Sequence, residues 1–197
     1  MYISGLENFS DANGDGFRTV LYVSGCSHHC NGCQNPQTWN PENGVEYNEE
    51  IEEKVLNMLF NKNISGLTLS GGDPLFDENL DSVLHLVQRI KNEFNNTATY
   101  SDYENENHNM LIGKVNKMRV LFKNNKTVWL YTGYTFEQCL LDEKRNNILK
   151  YIDVMVDGRF ENDKKDLSLK FRGSSNQRVI DVQKSLETRG IVSLYTD

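Results

Sequence analysis

The chain has 197 residues, 38% hydrophobic and 25% charged, with 9 Phe, 9 Tyr and 2 Trp; this suffices for a buried core and excludes a disordered or collagen-like polymer. A formal charge of -7, from 21 Lys and Arg against 28 Asp and Glu, argues against a surface built to grip a nucleic-acid backbone. No apolar run approaches a membrane span, and residues 1–8 lack the basic-then-apolar layout of a secretory leader, so the expectation is a cytoplasmic protein with neither membrane nor nucleic-acid partners.

Thr19, Val20, Leu21, Tyr22 and Val23 stop at Ser24 and Gly25 and predict a buried strand. Residues 26–43, rich in Asn, Gly and Pro, read as a loop. Asn48, Glu49 and Glu50 open a helix whose Ile51, Val55, Met58 and Leu59 share one face. A short strand over residues 66–70 ends at Gly71, Gly72, Asp73 and Pro74, and a second helix carries Leu80, Val83, Leu84, Val87 and Ile90 on one side. Residues 95–125 interrupt this rhythm. A polar stretch there precedes Leu111, Val115, Met118 and Phe122 at helical spacing beside Lys114, Lys117, Arg119 and Lys123, and reads as a polar, basic insertion in a single domain spanning residues 1–197. Strands then follow at residues 127–131, 152–156 and around Val179 and Ile180, with a helix from Thr135 that turns Phe136, Cys139 and Leu140 inward. Such alternation predicts an α/β fold with a mainly parallel sheet and ligands at the carboxyl ends of its strands. Cys26, Gly71, Thr132 and Asp157 all follow strands at that edge.

Three of the four cysteines, Cys26, Cys30 and Cys33, lie within eight residues, a spacing suited to metal rather than to a disulfide framework. An iron–sulfur cubane is held by thiolates, and three of them leave one iron open for another ligand. The competing reading is zinc completed by His28 or His29, although both histidines sit awkwardly between the first two cysteines and read better as loop residues beside the site. Cys139, on an apolar helix face, reads as a core residue. Gly71 and Gly72 allow a backbone to approach a ligand closely, and the Asp73 carboxylate can accept hydrogen bonds from an amine. Asp11, Asn13, Asp15 and Gly16 open like a calcium loop, but its closing position falls on Tyr22 instead of Glu.

The C-x3-C-x2-C run after the first predicted strand and Gly71-Gly72-Asp73 after the second together resemble the radical S-adenosylmethionine superfamily. More narrowly the chain is similar to the glycyl-radical activases that serve anaerobic ribonucleoside-triphosphate reductase. That similarity rests on residues 13–18, 23–26, 30–35, Trp39, residues 69–75, 131–134, 156–160 and 171–177. Gly32 before the third cysteine and Asp73 in place of Glu are departures from the superfamily that the narrower group shares. The resemblance implies an open or partial (β/α) barrel. It implies a [4Fe-4S] cluster on Cys26, Cys30 and Cys33, and S-adenosyl-L-methionine flanked by Gly32, Cys33 and Gln34. Gly71, Gly72 and Asp73 would hold its methionine amine, and Thr132, Asp157 and Arg159 would line its nucleoside. The implied chemistry is reductive cleavage to a 5'-deoxyadenosyl radical, which makes a glycyl radical on the reductase and needs no acid–base pair. The implied partners are that reductase and an external electron donor such as flavodoxin or a thiol/reductase system, in a homodimer or heterotetramer. The alternatives are another radical S-adenosylmethionine enzyme, or a zinc-stabilised interaction module docking through the basic helix.

Overall fold

The computed structural model describes residues 1–95 and 125–195. Its strands are β1 (Tyr2–Ser10), β2 (Phe17–Val23), β3 (Val45–Glu46), β4 (Ile64–Gly71), β5 (Thr127–Tyr131), β6 (Val154–Asp157) and β7 (Arg178–Asp181). They form one open sheet in the order β3-β1-β2-β4-β5-β6-β7. The expected parallel pairing holds at the centre, where β2, β4, β5 and β6 run together. Both flanks are antiparallel: β1 pairs with β2 and β3, and β7 with β6. The connection at residues 11–16 is too short for a crossover, which needs a dozen residues or so, and residues 158–177 fold back through a Lys165–Ser174 bridge instead of crossing the sheet.

The helices are α1 (Glu49–Leu59), α2 (Leu80–Ile90), α3 (Phe136–Leu141), α4 (Glu143–Leu149) and α5 (Val182–Thr188). Polar residues start them. Asn48 accepts from the Ile51 amide at α1, Thr135 and Gln138 form a capping box at α3, and Asp142 and Asp181 cap α4 and α5. Strand alternation divides the core. Leu21, Leu67, Leu69, Val128, Leu130, Met155 and Ile180 face the helices with Val55, Leu56, Val83, Leu86 and Val87. Trp129, Val154, Val156 and Val179 face the other way and meet Tyr131, Phe171 and Tyr195. That second face also takes Arg18, fully buried, whose guanidinium donates to Thr68 Oγ1 at 2.6 Å and to the carbonyls of Leu67 and Thr127 at 2.6 and 2.9 Å. One side chain thus ties β2, β4 and β5 together below the site.

Some expectations are corrected. Leu140 is exposed, because α3 is a six-residue helix whose cap turns Phe136 and Cys139 inward. Leu56 and Leu86 are fully buried where Met58 and Leu84 are half-buried. The helix expected over Leu111 to Phe122, with its basic neighbours, lies outside the described residues. Among the described residues no helix is long and apolar enough to cross a membrane.

Candidate functional site

Loops after β2, β4, β5 and β6 converge on a cavity of about 370 Å³ at the carboxyl edge of the parallel strands, where dipoles and loop ends of an α/β sheet meet a ligand. Cys26, Cys30, Cys33, Gln34, Gly71, Gly72, Asp73 and Thr132 all line it. The three thiols are free and half-buried. Their loop is fastened by Gly25 N donating to Thr38 O (2.8 Å), Cys26 N to Trp39 O (3.2 Å) and Cys33 N to Cys30 O (3.1 Å). Asn35 N donates to Cys33 Sγ at 3.4 Å. Burial pushes the Cys26 and Cys30 thiols up, while the amides of His28 and His29 beside Cys26, and of Phe160 beside Cys30, favour thiolate.

The glycines after β4 answer to a close backbone approach. A Cβ on Gly72 would lie 2.5 Å from the Gly25 carbonyl oxygen, and one on Gly71, at φ 103°, would lie 2.6 Å from Val23 O. The two loops are laced by Gly72 N to Val23 O (2.8 Å) and Asp73 N to Gly25 O (2.7 Å). Asp73 is buried, and its carboxylate accepts from Leu75 N (2.8 Å), Thr132 Oγ1 (2.9 Å to each oxygen) and Gly133 N (3.0 Å). His28 Nε2 stands 2.9 Å from Asp73 Oδ2, a charge-range contact without the alignment of a hydrogen bond.

Gly32, Asp157 and Arg159 are not among the lining residues. Gly32 turns at φ 75° with Asn162 against it, where a Cβ would lie 2.6 Å from Asn162 Oδ1. Asp157 is buried and accepts from Phe136 N at 2.8 Å and from Arg178 Nε at 3.0 Å; Arg178 also grips Glu137, whose carboxyl it holds down at about 2. Asp157 thereby ties the start of α3 to β7. Arg159 lies in a neighbouring groove and donates from Nε to His28 Nδ1 at 3.1 Å. Cys139 sits in the helix-side core.

The sequence reading gave no role to several residues found on the cavity wall: Asn13, Ser70, Tyr131, Leu167, Leu169 and Gln177. Ser70 and Tyr131 are legible in hindsight from strand alternation, which sets them on the face opposite the helices. Leu167 and Leu169 belong to no motif, and only the folding back of residues 158–177 brings them there. Among the described residues no three His, Cys, Asp or Glu side chains surround a point where a single metal ion would sit. Three soft thiols spread along one loop, open to a cavity, suit a polynuclear iron–sulfur centre, whose cysteines bind separate irons.

A family model described as a 4Fe-4S single cluster domain matches residues 12–111 and 104–180. The chain is 40% identical over 167 residues to the anaerobic ribonucleoside-triphosphate reductase-activating protein of Vibrio cholerae, covering 84% of this chain and 88% of that one. It is 37% identical to the protein of that name from Enterobacteria phage T4 (85% of each chain), and 36% identical to that of Escherichia coli K12 (85% of this chain, 90% of that one).

Proposed function

Because the chain belongs to the family of anaerobic ribonucleoside-triphosphate reductase-activating proteins, we propose that it activates an anaerobic ribonucleoside-triphosphate reductase by installing a glycyl radical on it. Bound together, a [4Fe-4S] cluster and S-adenosyl-L-methionine supply a one-electron cleavage whose radical product takes a hydrogen atom from a glycine Cα. Cys26, Cys30 and Cys33 would hold the cluster, and Gln34 with the Gly71, Gly72 and Asp73 loop would hold the methionine end. Thr132 would act at this end as well, through its bond to Asp73. Gly32 shapes the cysteine turn, and Asp157 and Arg159 support the loops beyond. In the same reading the open sheet is part of a radical S-adenosylmethionine-type barrel in one cytoplasmic domain, reduced by an external donor.

The observation that carries this reading is the meeting of three thiols and the Gly71–Asp73 loop on one cavity. No acid–base pair is required, and the cavity walls serve to keep a reactive radical from water. The test is anaerobic reconstitution with iron and sulfide, then reduction in the presence of S-adenosyl-L-methionine. We expect 5'-deoxyadenosine from the wild-type chain, none from Cys30→Ala, and a glycyl-radical electron paramagnetic resonance signal on added reductase. A folded, iron-loaded chain that forms no 5'-deoxyadenosine would overturn the reading.

A further inference from the structure

His28 is placed by a left-handed residue: His29, at φ 46°, reverses the loop so that its own ring stacks on Trp39 with centroids 4.7 Å apart, while the His28 ring goes inward. The His28 side chain is 6% exposed. It meets the loops after β4, β5 and β6 at once. Its Nε2 is 2.9 Å from Asp73 Oδ2, its ring meets Tyr134 edge-on at 4.5 Å, and its Nδ1 accepts from Arg159 Nε at 3.1 Å. A guanidinium only donates, so Nδ1 is the acceptor and the ring proton falls to Nε2, close to the carboxylate but not aligned on it as a hydrogen bond. The slot is cut to the ring. A Cβ on Gly133 would lie 2.3 Å from His28 Cδ2 and 2.7 Å from Nε2, so the absence of a side chain at 133 is what admits the imidazole.

Asp73 is in turn fixed by Thr132, Gly133 and Leu75. Tyr134 is fixed by Arg145, whose guanidinium stacks on its ring at 4.3 Å and donates to its hydroxyl at 3.1 Å. The imidazole therefore bears on anchored groups on two sides, and the loop that carries it is the one between Cys26 and Cys30. Moving His28 moves the thiols relative to Asp73.

Resting on the cluster and cofactor reading above, we propose that His28 is a positioning residue that locks the cysteine loop to the Gly71–Asp73 loop, setting where bound S-adenosyl-L-methionine sits against the iron. From its place on the cavity wall it acts in this role through the two loops. Groups that orient a metal-binding loop in this way govern affinity without being ligands.

The test uses the full chain, reconstituted anaerobically as wild type, His28→Ala and His28→Gln. The readouts are iron and sulfide per chain, S-adenosyl-L-methionine affinity, and the change in the reduced cluster's electron paramagnetic resonance signal when the cofactor is added. We expect His28→Ala to load iron like the wild type, to bind the cofactor about 10- to 100-fold more weakly, and to lose the cofactor-induced change. His28→Gln, which keeps a polar side chain of similar reach in the slot beside Asp73, restores part of both. If His28→Ala fails to hold iron, Gly133→Ala decides the matter, because it keeps the imidazole but drives it from its slot; the same loss supports the proposal. Unchanged affinity and unchanged spectral response in the iron-loaded variant overturn it. A wild-type signal that ignores the cofactor overturns the functional reading as well, whereas a normal response in both proteins overturns this inference alone.

Discussion

Cys139 illustrates how far one buried side chain can be read. It lies fully inside the helix-side core, and burial pushes its thiol up from the ordinary 9.0 to about 12. Below the unfolded value both states keep the proton, and the stability linked to this group is whole. As pH rises past it the unfolded chain ionises while the folded chain does not, so that stability is lost through the window between the two values. By about pH 10 the loss amounts to about 1 kcal/mol. Urea unfolding of wild type and Cys139→Ala at about pH 8 and about pH 10 should therefore show the gap between them shifting by that amount toward the variant. A constant gap would mean the thiol reaches water in the folded chain. The core role of this cysteine was legible from its place on an apolar helix face. That of Arg18 was not: a cation amid apolar strand residues gives no hint that Thr68, Leu67 and Thr127 will surround it, because its partners come from strands about 50 and 109 residues away.

Among elements, the strands that sequence pattern found, β2, β4, β5, β6 and β7, are those with buried centres, where β-branched and apolar residues run together. β1 escaped. Its Gly5, Glu7 and Asn8 look like loop, most of its residues are not buried, and its pairing with β2 slips in register between Ile3 and Gly5 and again between Glu7 and Ser10. α4 was hidden for another reason: Asp142 ends the pattern of α3 and caps a new helix one residue later. What joins β4 to β5 can be tested at Gly66. A Cβ there would lie 1.8 Å from the Thr127 carbonyl oxygen, which also accepts from Arg18 at 2.9 Å. Backbone cannot yield as a flexible side chain does, so Gly66→Ala should cost about 2 kcal/mol or more in denaturant unfolding. Gly190→Ala, with nothing within 4 Å of the added carbon, serves as the control and should change little. Equal behaviour of the two would mean that β4 and β5 part at Gly66 without cost.

At the scale of the molecule, the cysteines and Gly71–Asp73 stood out because each is a local cluster of unusual residues after a strand. The far wall of the cavity stood out only at the ends of its lobe, within residues 156–160 and 171–177; the stretch between them, which supplies Leu167 and Leu169, is ordinary loop in sequence. That lobe, residues 158–177, folds back on itself and brings Leu167, Leu169 and Phe171 to the cavity. Gln177 holds its base: Oε1 accepts from Gly173 N at 3.0 Å and Ser174 N at 3.2 Å, while Nε2 donates to Gly158 O at 3.0 Å. Its tip rests on Lys170, which contacts Asp15 Oδ1 at 3.4 Å and Tyr195 Oη at 3.3 Å. The tip contacts are exposed and weak, so the base carries the order of the lobe. Gln177→Ala removes three amide-type hydrogen bonds of about 1 kcal/mol each at most and should favour local opening by roughly tenfold or more. Limited trypsin digestion read by mass spectrometry checks this, since Lys164, Lys165, Lys170 and Arg172 lie within the lobe. Cleavage there should speed up while the global urea midpoint stays where it was. A midpoint that falls in step with the cleavage rate would instead make the lobe one cooperative unit with the sheet, and the cavity wall as rigid as the strands that flank the cysteine loop.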